Sequence, residues 1–208
     1  MSNASSLSPE LQALARSMAR ALQQPTEVPA DADLGAPLRQ PPALKPSAPA
    51  LLAQSHAGPQ ARRDAQALYR RCLVAYRQRV QQASEVDDAG QAAAYFVLAN
   101  LDVLHDLRPG RSELARVERQ MRHWLGASWR GAPLADQQSG FEQLAVLGTL
   151  MTESAFEARR QSAAAPDASA VGLAHVKQAA RAYLVQFGLS PQRLRLSDTG
   201  LVLEAIAA

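Results

Sequence analysis

The sequence predicts an all-α fold: a bundle of five core helices with a small C-terminal β-hairpin and a tethered N-terminal amphipathic helix. Three observations carry this expectation. From about residue 60 onward, apolar residues recur at three- and four-residue spacing, the period of a helix with one buried face. Eight of the thirteen prolines lie between Pro25 and Pro59, setting that region apart from what precedes it. Only the tail changes to a two-residue period, at Leu194–Leu196 and Leu201–Leu203.

Residues 1–24 read as the N-terminal helix. Ser8-Pro9-Glu10 supplies a cap residue followed by proline at the first helical position. Leu11, Leu14, Met18 and Leu22 then form a narrow apolar stripe, and Pro25 stops the helix. Residues 25–60 read as a proline-rich linker tending to polyproline II, with a reach of up to ~3.1 Å per residue. Residues 61–208 read as the helical bundle domain. Its first helix, from about Pro59 to Gln82, buries Leu68, Cys72, Tyr76 and Val80, widened by Tyr69 and Leu73. Asp87 or Asp88 opens the second, which ends at Leu107 before Pro109-Gly110; its centre, Ala92–Leu101, carries no charge. Ser112 caps the third, with Leu114, Val117, Met121 and Leu125 inward until Gly126. Asp136 begins the fourth, and the fifth, from about Ser169, presents Leu173, Val176, Ala180, Tyr183 and Phe187 before Gly188 ends it. The second and fourth, apolar on nearly every side, are expected at the centre. Gly148 costs about 1 kcal/mol in helix propensity, so it marks a close approach of another helix.

Composition excludes several classes. The chain is 47% hydrophobic and 20% charged, a globular balance, with only 5% aromatics, so Leu, Val and Ala must build the core. Net charge is +3 because 19 acidic residues offset 22 basic ones. The densest basic stretch, Arg62–Arg79, lacks interleaved aromatics for base stacking and reads as a solvated helix face, Arg77 included, so no nucleic-acid partner is expected. No apolar run is long enough to span a membrane. The single Cys72 excludes an internal disulfide and reads as a small buried hydrophobe. Met1–Ser8 lacks the basic-then-apolar start of a signal peptide, but Met1-Ser2-Asn3-Ala4 resembles a tag remnant, so that lack does not speak against export.

Candidate chemistry is sparse. Asp102, His105 and Asp106 share one helical face and offer metal ligands or an acid/base pair, yet a single helix supplies too few ligands and no Glu-x-x-His partner occurs. The cluster reads as the polar end of a buried helix. Glu142 and Glu153, eleven residues apart, stand about 16 Å apart on a helix, too far to share one glycosidic bond. No Gly-x-Ser-x-Gly elbow is present. No catalytic, cofactor-binding or metal-ligating residue is therefore assigned, and no cofactor is expected. Asn100, amid apolar neighbours, needs a buried partner. Trp124 and Trp129 flank Gly126 at an expected helix end, where an exposed ring would serve as a binding anchor and a buried one as core. Together with Leu11, Leu14, Met18 and Leu22, they are the expected partner-binding residues.

Several segments resemble an uncharacterised bacterial all-helical family of unknown function, often encoded with export signals. The resemblance spans about residues 62–203 and rests on Gln120-Met121-Arg122 with Leu125, on Phe141–Gly148, and on Ala179–Leu184 followed by Arg193–Leu201. It implies a periplasmic or envelope location and brings no catalytic residues. The expected function is a non-enzymatic envelope module that binds another protein, such as an immunity protein or inhibitor facing a toxin or effector. A cytoplasmic adaptor or secretion chaperone is the first alternative, and a metal-dependent enzyme using Asp102, His105 and Asp106 the second.

Overall fold

The computed structural model describes residues 12, 15, 16, 19, 20, 38–40, 45–81, 86–107, 109–164 and 166–204. Six α-helices follow one another among them: α1 (Ala48–Ala53), α2 (Pro59–Tyr76), α3 (Ala89–His105), α4 (Arg111–Gly131), α5 (Leu134–Ala164) and α6 (Pro166–Gln186). A turn of π-helix, Arg77–Gln81, continues α2. Two antiparallel strand pairs complete the set: β1 (Arg39–Gln40) with β2 (Asp87–Asp88), and β3 (Leu194–Ser197) with β4 (Gly200–Leu203). The fold is all-α with a C-terminal hairpin, as the periodicity predicts. No helix among the described residues is long and apolar enough to cross a membrane.

Helices α3 and α5 form the centre. Ala92, Ala93, Phe96, Val97 and Leu101 on one, and Phe141, Leu144, Ala145, Val146 and Leu147 on the other, are buried. Gly148 lies at their crossing: a Cβ there would stand 3.1 Å from the Phe96 Cα and 2.8 Å from Tyr95 Cδ1. The missing side chain therefore lets the two backbones meet, with the Phe96 and Phe187 rings packed beyond the contact at 4.5 Å between centroids and tilted by 43°.

Four details of the sequence reading are corrected. Leu68 is 37% exposed; α2 instead turns Tyr69, Cys72, Leu73 and Tyr76 inward. Gly126 lies inside α4, which runs to Gly131. The reason is the stripe Val117, Met121, Leu125 and Trp129, all buried at four-residue spacing: burial of the Trp129 ring, worth about 2–3 kcal/mol, outweighs the roughly 1 kcal/mol of helix propensity that Gly126 lacks. The sixth helix begins at Pro166 rather than Ser169. Finally, the proline-rich stretch contains β1 and α1. Pro49 sits in the first turn of α1, where its missing N–H costs nothing, and Leu52 and Ala53 are buried below it.

Leu194 and Leu201 bury the hairpin against the bundle, and the Gln120 side chain hydrogen-bonds it there. Gln120 of α4 accepts the Leu201 N–H through Oε1 and donates to the Leu201 carbonyl through Nε2, both at 2.8 Å, as a neighbouring strand would. Gly200 precedes this contact with φ of +121°, a conformation side chains rarely adopt. Gly188, with φ of +68°, ends α6 in the left-handed region, as expected. Beside it stands Ala19, and Ala15 belongs to the main core, so the described part of the N-terminal segment packs on the end of α6.

Candidate binding groove

Most charged side chains that the sequence brings forward are occupied in holding helices together. Asp88 is the N-cap of α3: Oδ1 accepts the Gly90 N–H at 2.9 Å, while Oδ2 accepts Arg122 Nη2 at 2.7 Å and Nε at 3.0 Å. A Cβ at Gly90 would collide with Arg122, so this crossing of α3 and α4 also depends on a glycine. Next to it, Arg77 grips the buried Asp87 with two hydrogen bonds, of 2.7 and 3.1 Å. The expected solvated arginine is therefore a partner of a buried carboxylate. Glu142 is buried too; Oε2 accepts the Ser47 and Ala48 N–H groups, at 2.8 and 3.0 Å, and anchors the start of α1. Burial pushes its carboxyl above the ordinary glutamate range, against the two backbone donors and Arg77, which favour the charge. Tyr76 lies in the same region, fully buried, and burial together with Asp88, Glu118 and Asp87 raises its phenol well up.

The Asp-x-x-His-Asp face is held in the same way. Arg159 of α5 donates to Asp102 Oδ2 at 3.0 Å and to Asp106 Oδ1 at 3.0 Å, while His105 Nε2 faces the Pro191 carbonyl at 3.3 Å. Among the described residues no group of three or more His, Cys, Asp or Glu side chains is placed to hold a metal ion. Cys72 is buried, and burial raises its thiol, in keeping with a packing role. Asn100 is fully buried and donates through Nδ2 to the Phe96 carbonyl at 2.7 Å.

Of the expected partner-binding residues, Leu11, Leu14, Met18 and Leu22 lie outside the described residues. Trp129 is 6% exposed, with its ring against Gly140, and so belongs to the core. Trp124 is half-buried and packs against the same core.

The surface feature that stands out is elsewhere. Phe156 on α5 is 65% exposed. It lines a cleft of about 710 Å³ between α3, α5 and the start of α4, floored by Tyr95, Leu98 and Ala99 and walled by Leu107 and Leu114. The polar groups of the floor are spent on one another: Tyr95 Oη donates to Thr152 Oγ1 at 3.1 Å, which donates to the Gly148 carbonyl at 3.0 Å. At the rim, Arg159 is taken by Asp102 and Asp106, and Arg160 by Glu157 at 2.9 Å. What remains for a ligand is an apolar trough with an aromatic ring standing at its edge. Sequence reasoning missed this site, although a signal was present. Phe156 is flanked by Glu153, Glu157 and Arg160, one step off the buried stripe Met151, Ala155 and Ala158, and so had to face outward.

Comparison with curated proteins gives no match, and neither does comparison with solved structures. A family model, described as a family of unknown function (DUF6683), matches residues 1–204. That span takes in the N-terminal segment and the proline-rich stretch as well as the bundle. The chain therefore belongs to this family of unknown function.

Proposed function

We propose that this protein is a non-enzymatic protein-binding module whose partner seats in the groove beside Phe156. The observation that carries this reading is the exposed aromatic ring at the mouth of an apolar cleft. Covering a ring of that size is worth about 2–3 kcal/mol, and aromatic anchors set in apolar pockets dominate interface energetics. The charged rim supports the reading, because its carboxylates and guanidinium groups neutralise each other and leave an apolar side chain as the best-suited occupant. An envelope location rests on the resemblance described above, and fractionation of the native bacterium tests it.

The groove is tested by capture from extracts of that bacterium with immobilised full-length chain. Phe156→Asp is expected to abolish recovery of the bound polypeptide while leaving the melting temperature unchanged, since the ring supports little of the core. Undiminished recovery overturns the groove. Loss of recovery with Leu14→Asp plus Met18→Asp, but not with Phe156→Asp, moves the interface to the N-terminal segment.

A further inference from the structure

We propose that helix α1 is a proton-latched flap: it lies closed on the bundle while Glu142 carries a proton and lifts as that carboxyl ionises. The flap has little of its own to hold it. Six residues are too few for an isolated helix to persist in water, and Ser47 lends the first turn no side-chain cap. The apolar grip of α1 is Leu52 with Ala48, Pro49 and Ala53, while Leu51 is exposed. The capping acceptor comes instead from α5, where Glu142 Oε2 takes the Ser47 and Ala48 N–H groups at 2.8 and 3.0 Å. On either side the chain is pinned separately. Upstream, the Leu38 carbonyl accepts the Ala89 N–H, and β1 pairs with β2. Downstream, His56 Nε2 lies 2.9 Å from Tyr69 Oη, and Arg62 Nε donates to the His56 carbonyl at 3.0 Å. Between these pins α1 can lift without unpacking the other helices.

Charge supplies the latch. With α1 closed, Glu142 is 1% exposed, and its second oxygen, Oε1, is buried with no hydrogen-bond partner. Arg77 and Asp87 are the charged side chains that act on it, from the π-helical turn after α2 and from β2. Helix α1 brings none, being Ala-Pro-Ala-Leu-Leu-Ala, and α5 has Gln138, Ser139, Ala145 and Val146 one turn to either side. Arg77 is already bound to Asp87 through both carboxylate oxygens. One guanidinium thus faces two carboxylates, and the closed flap would bury a net negative charge unless Glu142 takes up a proton. A neutral carboxyl still offers one oxygen to both N–H groups, and an unpartnered hydroxyl costs less to bury than an unpartnered charge. The two N–H donors and Arg77 favour the ionised form, but burial outweighs them and holds the carboxyl above the ordinary glutamate range. With α1 lifted, the carboxyl meets water and returns toward that range. Closure is therefore fully favoured below the ordinary range, and the advantage is lost as pH rises through the closed-state value. Opening releases one proton, so its equilibrium constant rises by at most about tenfold per pH unit.

Hydrogen exchange of the full-length chain, read by mass spectrometry from about pH 4 to about pH 8, tests this. At each pH the amides of residues 47–54 are compared between wild type and Glu142→Gln, which cancels the base catalysis common to both. Glu118 of α4, whose carboxyl burial also raises, cancels as well, since it is linked to Arg122, Gln91 and Asp88 rather than to α1. Relative to Glu142→Gln, wild-type protection of 47–54 is expected to fall with rising pH, by up to about tenfold per unit. At every pH it should stay below the protection of the central α3 amides. A ratio that is constant, or that rises with pH, overturns the inference. Protection of 47–54 equal to that of α3 overturns it too, since α1 would then leave only when the whole chain unfolds. A reciprocal measurement needs no change at Glu142. Leu52→Asn weakens the apolar grip of α1 without adding a charge. The Glu142 carboxyl carbon, followed by carbon-13 NMR, should titrate above the ordinary glutamate range in wild type and within it in Leu52→Asn. A raised carboxyl that persists in a Leu52→Asn chain with protected α3 amides shows that α1 does not govern it, and overturns the latch.

Discussion

The same substitution, glycine to alanine, should have opposite signs at two helical positions of this protein. At Gly148 the new Cβ would stand 3.1 Å from the Phe96 Cα and 2.8 Å from Tyr95 Cδ1. The tyrosine ring can shift, but the Phe96 Cα is helix backbone, so α3 and α5 must move apart along a contact that is otherwise fully packed. Overpacking of this kind costs about 1–3 kcal/mol, while alanine returns about 1 kcal/mol of helix propensity. Because the contact is with backbone, the upper part of that range, about 2–3 kcal/mol, applies; the net expectation is a loss of about 1–2 kcal/mol, rising to about 3 kcal/mol or more for Gly148→Leu, whose three further carbons have no room. At Gly172 of α6 a Cβ would meet nothing within 4 Å. There the propensity gain stands alone, and Gly172→Ala should stabilise by about 0.5–1 kcal/mol. Urea unfolding followed by circular dichroism reads both, with an unchanged denaturant slope showing that the transition stays two-state. Equal or increased stability in Gly148→Ala would refute the argument that this glycine exists to let two central helices touch.

Three further expectations follow from the buried polar contacts. Arg77→Ala strips the buried Asp87 of its bidentate partner and should cost about 2–4 kcal/mol in urea unfolding, whereas Arg160→Ala, at an exposed pair, should stay within about 0.5 kcal/mol. Gln120→Leu removes both hydrogen bonds to Leu201 and should lower stability by about 2 kcal/mol, with hydrogen exchange at the hairpin amides rising most. Glu142 binds its proton more tightly in the folded chain than in the unfolded one, because burial raises its carboxyl. Its contribution is thus fully present below the ordinary glutamate range and is lost as pH rises through the folded value. Unfolding of wild type against Glu142→Gln, followed upward from acid pH, should show the wild type losing ground; a constant difference, or one of opposite slope, would contradict the assignment.

Local signals made much of the fold legible. Gly148 announces itself because a glycine amid an apolar helix is costly unless a neighbour needs the space. Gly188 and the alternating tail around Gly200 are likewise readable, since a left-handed cap and a hairpin turn are decided by a few adjacent residues. What escaped depends on partners far apart in the chain. Helix α1 is short and sits among prolines, and it is fixed by Glu142, about 95 residues away, which no period can reveal. Arg77 looks like one more arginine in a basic helix until the chain reverses and brings Asp87 to it. Gly126 suggests a helix end because its cost is local, while the burial of Trp129 that overrides it is tertiary. The groove is illegible for the same reason. Tyr95, Leu107, Leu114 and Phe156 come from three helices and a loop, and only their assembly makes a trough. By contrast, the Asp102, His105 and Asp106 face was legible as the polar end of a buried helix, and the structure adds Arg159 as the partner of its two aspartates.

The most direct test of the account places a photoreactive benzoylphenylalanine at position 156 in the full-length chain expressed in its native bacterium. The group occupies the site of the exposed ring and reaches only what lies against it. The account predicts a polypeptide adduct at 156 and none from the same group placed at Gln178 on the exposed face of α6. Equal yields from the two positions, or no adduct at 156, would contradict the claim that this groove is where the protein binds.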